Sequence, residues 1–104
     1  MSAVVYNKLI RDRVPDLIRA DGREPITRPL EQPEYASALR QKLSEEVGEF
    51  LDSDDPRELA DILEVVFALG LQLGLDAEAL EDLRGAKSRE RGSFEQRLLL
   101  VEIR

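Results

Sequence analysis

The chain contains no cysteine and no histidine, and these two absences remove much of the usual catalytic repertoire. Without thiols there are no disulfides and no thiolate nucleophile. Without imidazole there is no zinc site of the usual ligand type and no histidine acid–base catalysis. An enzyme built from this inventory works with carboxylates, cations and water. Long hydrophobic runs are also missing. The most apolar stretch, Ile62 to Leu75, is interrupted by Glu64 and Gln72 and is shorter than the roughly 20 residues of a transmembrane helix. Met1 to Asn7 lack the basic region and apolar run of a signal peptide, so a cytoplasmic location is expected. Basic residues are the scarcer sign, 15 against 22 acidic, for a net charge of −7. That balance argues against nucleic acid or an anionic membrane as the main partner.

The 104 residues, 42% hydrophobic and 36% charged, describe a single soluble domain spanning residues 1–104, with no internal repeat. A chain of this size can hold a core of its own but gains from association. Leu9 to Asp21 reads as a short helix, with Pro15 suited to a first turn and Gly22 as the stop. Arg23 to Gln32, carrying Pro25 and Pro29, reads as an extended or edge-strand segment. Pro33 and Glu34 open a long helix to about Leu51. Asp55, Pro56 and Glu58 have the form of a capping box with proline in the first turn, starting a third helix that runs to about Gly74. Asp76 caps a fourth helix, Ala77 to about Glu90. After Gly92, the apolar run Leu98 to Ile103 suits a strand paired with the extended segment near Ile26. The expected fold is mainly α, four helices with a small two-stranded β element.

The placement of acid on the second and third helices is unusual. Glu45, Glu46 and Glu49 are followed, after eight residues, by Glu58 and Asp61. Residues three apart project from one helix face, so each helix offers a pair of oxygen ligands. At about 100° per residue, Glu46 falls among Tyr35, Leu39, Leu43 and Phe50. Asp61 falls beside Val65 and Ala68 on a helix that is apolar nearly all round. An ionised carboxylate there costs several kcal/mol unless it is paired or binds metal. A solvated face with Lys42–Glu46 pairing is the plain alternative for the glutamate run, and capping alone accounts for Glu58. Neither explains Glu46 and Asp61 together. Four oxygen ligands without nitrogen or sulfur suit Mg²⁺, with Mn²⁺ as a substitute. A third helix apolar on every side points to a dimer, its core built from the second and third helices of two chains.

These acids, Glu45-Glu46-Val47-Gly48-Glu49 and Glu58-Leu59-Ala60-Asp61, resemble the Glu-Glu-x-x-Glu and Glu-x-x-Asp motifs of the MazG-type all-α NTP pyrophosphatases. Tyr6 to Pro15 and Lys87 to Phe94 look like the two ends of the short, stand-alone house-cleaning branch, so the similarity spans essentially the whole chain. The eight residues between Glu49 and Glu58 make a shorter connection than the superfamily pattern usually shows. The resemblance implies cleavage of a nucleoside triphosphate to a monophosphate and pyrophosphate. It implies Mg²⁺ held by Glu46, Glu49, Glu58 and Asp61, with Glu45 orienting or deprotonating the attacking water. Lys8, Arg11, Lys87 and Arg91 are the candidates for neutralising phosphate charge, and a homodimer or dimer of dimers is the expected assembly. Two competing readings are phosphoribosyl-ATP hydrolysis and a non-catalytic acidic helical interaction module.

Overall fold

Three of the four helices begin or end on residues whose chemistry dictates the boundary. The computed structural model describes residues 3–104. They form four helices: α1 Val14–Ala20, α2 Gln32–Ser53, α3 Pro56–Gln72 and α4 Ala77–Arg91. α2 ends where Asp54 adopts a left-handed conformation at φ 54°, and the next residue, Asp55, is the N-cap of α3. Its side chain accepts from the Arg57 backbone N–H at 2.9 Å, and Pro56 occupies the first turn. α3 closes in a Schellman arrangement. Leu75 N–H donates to the Gly70 carbonyl, Gly74 N–H donates to the Leu71 carbonyl, and Gly74 supplies the positive φ of 83°. Asp76 then caps α4, accepting from Ala79 N–H at 2.8 Å.

α2 and α3 form an antiparallel hairpin, and α4 packs back on α3. Gly70 permits that second contact: a Cβ there would lie 3.1 Å from the Leu75 carbonyl oxygen and 3.4 Å from a Leu80 methyl. α1 is shorter than the segment read from the sequence, because residues 9–13 are not helical. It lies against no other helix. No strand forms among the described residues: Arg23 to Leu30 and Leu98 to Ile103 are both irregular and make no ladder with each other. No helix is long and apolar enough to cross a membrane.

The core is small. Leu39 on α2 (3% exposed) and Val65 on α3 (8%) are the buried large hydrophobics. The other side of α3 is bare, with Leu59, Leu63, Phe67 and Leu71 all exposed. The radius of gyration is 18.2 Å, against about 13 Å for a compact domain of this length. The single chain therefore leaves much of its apolar surface uncovered.

The cap of α3 carries a pH signature. The Arg57 guanidinium beside Asp55 holds its carboxyl below the ordinary value of 3.8. A depressed pKa gives stability that is present above the unfolded value and is lost as pH falls through the folded one. Asp55→Asn should therefore be less stable than the parent at neutral pH, and the two should converge below about pH 3.8. Urea midpoints measured across that range give the comparison; a difference that persists or widens in acid contradicts this account of the cap.

Candidate metal centre

The α2–α3 hairpin brings acids from two helices to one point. α2 contributes Glu46, and the first two turns of α3 contribute Glu58 and Asp61. One carboxylate oxygen from each lies within 4.8 Å of the other two. Glu46 is 7% exposed, as its position among apolar neighbours on the helix wheel requires. Its Oε1 is 3.4 Å from the Lys42 ammonium one turn earlier. Its Oε2 is buried with no donor, and so is Oε2 of Glu58. Buried acceptors are rarely left in this state, and here the two belong to neighbouring charged groups. The arrangement fits a hard cation, which accepts oxygen ligands from several carboxylates at once.

The electrostatics agree with the geometry. Burial pushes the Glu58 carboxyl above its usual value, and the charges of Glu49, Asp61 and Glu46 push it further. The capping box is only half formed. Asp55 caps the backbone, but Glu58 does not reach back; its carboxylate is turned into the acid cluster instead.

The remaining sequence candidates divide clearly. Glu49 lies outside the three-acid group and is exposed, though its charge is near enough to raise Glu58. Glu45 also lies outside that group, accepting from the Lys8 ammonium at 3.0 Å. That hydrogen bond holds Glu45 below, and Lys8 above, their ordinary values. Arg11 donates to Asp61 at 3.1 Å and to Glu64 at 3.4 Å. Asp61 is consequently less enclosed than the helix wheel indicates, with its side chain 40% exposed and turned toward Arg11. Lys87 and Arg91 stand apart on α4; among the described residues neither makes an ion pair with the acids.

Two participants were not among the sequence candidates. Lys42, read from its i,i+4 spacing only as a surface partner of Glu46, does pair with Glu46 and also lies 3.8 Å from Glu45. Glu64, three residues after Asp61, shares the Arg11 guanidinium, and the same spacing rule could have found it.

Comparison with known proteins adds a relative but no family. Over 47 residues the chain is 53% identical to a protein of Mycolicibacterium smegmatis described as uncharacterized; the match covers 45% of this chain and 48% of that protein. The chain therefore spans about half the length of that relative. No family profile and no solved structure matches the chain.

Proposed function

We propose that the protein is a Mg²⁺-dependent nucleoside triphosphate pyrophosphohydrolase, converting a triphosphate and water to a monophosphate and pyrophosphate. The observation that supports this most is the pair of buried, donorless oxygens on Glu46 and Glu58, two residues whose carboxylates form one three-acid group with Asp61. In this reading Glu46, Glu58 and Asp61 hold the cation, and Glu49 adds negative charge at its edge. A bound divalent cation would bridge phosphate oxygens and offset the charge that otherwise repels a triphosphate. Mn²⁺ meets the same oxygen-donor requirement.

Glu45, one residue before Glu46 and outside the three-acid group, is not needed to hold metal. Its depressed pKa makes it a weak base, so its role is to orient the attacking water by accepting a hydrogen bond. Lys8 and Arg11 now neutralise Glu45 and Asp61; as flexible cations on the rim, they can exchange those partners for substrate phosphates. Lys87 and Arg91 have a weaker claim, because α4 holds them away from the acids. The house-cleaning role and the dimer expected from the apolar third helix belong to this same proposal.

The test is pyrophosphate release from a panel of canonical, modified and phosphoribosylated triphosphates, with Mg²⁺ and with EDTA. Release that requires Mg²⁺ and is lost in Glu46→Gln is expected, and the panel identifies the base. No release from any compound, or release indifferent to Glu46→Gln, refutes the proposal and leaves the interaction-module reading.

A further inference from the structure

Two segments of this chain have the composition of strands yet, among the described residues, pair with nothing. Val4, Val5 and Tyr6 are 69 to 76% exposed, and Leu98, Leu99, Leu100, Val101 and Ile103 are 74 to 85% exposed. Neither segment makes a backbone hydrogen bond to the other or to a third element. In a strand, successive side chains take opposite faces, so Leu98-Leu99-Leu100-Val101 is apolar on both. That pattern belongs to a strand covered on both sides. An uncovered row of N–H and C=O groups flanked by such side chains is a template for pairing with another chain.

The area involved is large. The chain exposes 9639 Å², where a compact monomer of its 11.8 kDa mass exposes roughly 5,900 Å². The surplus, roughly 3,700 Å² per chain and so roughly 7,400 Å² for two, is more than enough to supply the about 2,000 to 5,000 Å² that obligate homodimers bury in total. Charge does not oppose the contact. Each chain carries −7 overall, but residues 4–6 and 98–101 carry none.

We infer that Leu98–Ile103 is an exchanged arm that pairs as a strand with Val4–Tyr6 of a second copy of this chain. Each copy carries both segments, so a reciprocal exchange between two copies leaves neither segment unpaired and closes as a two-fold dimer. The arm also bears on the acid cluster. The segment it would clamp leads directly into Lys8 and Arg11, whose ion pairs with Glu45, Asp61 and Glu64 help to tie the N-terminal segment to the hairpin. Exposed ion pairs contribute about 0 to 1 kcal/mol each, while fixing one residue's backbone costs about 1 to 2 kcal/mol. Three such pairs fall short of ordering a ten-residue segment, and a strand partner adds the missing contacts. The pairing stands independently of the proposed activity; only its bearing on Lys8 and Arg11 rests on that reading.

The absence of cysteine makes the arm directly testable. Val5→Cys and Leu100→Cys chains, mixed in equal amounts and oxidised, should yield the mixed disulfide dimer well above the one-half share of random pairing. Sedimentation of the unmodified chain should give twice the monomer mass, and Leu99→Asp with Val101→Asp should return it to the monomer. Random disulfide pairing, an intrachain disulfide in the Val5→Cys/Leu100→Cys double variant, or a monomeric unmodified chain overturns the inference. Mg²⁺ titration of the same samples reports on the metal centre separately.

Discussion

Glu58→Gln is expected to stabilise the protein in EDTA and to destabilise it relative to the parent in Mg²⁺. The carboxyl of Glu58 is pushed above its ordinary range by burial and by Glu49, Asp61 and Glu46, so its ionised form opposes folding when no cation is bound. Glutamine keeps the shape and removes the charge. With Mg²⁺ the order reverses. A ligand that binds only the folded state stabilises it by RT ln(1 + [L]/Kd), about 2.7 kcal/mol at a hundred times Kd, and the variant has lost a ligand. Under the proposed hydrolase activity, pyrophosphate release should fall by more than the roughly 10–100-fold that follows loss of an outer partner of a metal site. Melting curves with EDTA and with a Mg²⁺ series separate the two effects. If Glu58→Gln melts below the parent in EDTA, repulsion is not what Glu58 contributes. If the parent gains nothing from Mg²⁺ or Mn²⁺, the acid cluster is no metal centre.

This sign change cannot be read from residue spacing alone, and it shows where sequence reasoning stopped. Helix boundaries were legible because single residues dictate them: Pro56 after Asp55, Gly74 before Asp76, Gly92 after Arg91. Glu46 was legible because one charged residue on an apolar stripe is a local contradiction. Glu49 was not resolved, since the period that puts it three residues from Glu46 also turns it toward solvent, and only the angle between α2 and α3 decides which acids meet. The pairing of Lys8 with Glu45 spans 37 residues and that of Arg11 with Asp61 spans 50, distances at which helical period carries no information. The strand expectation for Leu98–Ile103 rested on composition, which identifies a segment needing cover without identifying what covers it. The ladder with the region near Ile26 is not formed, and Ile26 is itself 90% exposed.

The other large effect is expected from Leu39→Ala, which should damage the proposed metal centre without touching it. Leu39 precedes Glu46 by seven residues, two helical turns, and so lies on the same face of α2. Val65 follows Asp61 by four and shares its face of α3. Leu39 and Val65 are the buried large hydrophobics among the described residues, one on each of the two packed helices that carry the acids. Removing a buried leucine side chain costs about 2 to 5 kcal/mol, a large share of the roughly 5 to 15 kcal/mol that stabilises an ordinary domain. A core this small has few neighbours able to collapse into the gap. Urea denaturation should show the loss, and Mg²⁺ affinity measured by calorimetry on the folded variant should fall with it, because Glu46 no longer meets Glu58 and Asp61 at a fixed spacing. Saturating Mg²⁺ should restore part of the lost midpoint, since binding draws the hairpin closed. A midpoint shifted by less than about 0.5 kcal/mol, the range of ordinary surface substitutions, would mean that the hairpin is held by something other than the burial of Leu39. Unchanged Mg²⁺ affinity in a clearly destabilised variant would mean that the acids are positioned independently of the core beneath them.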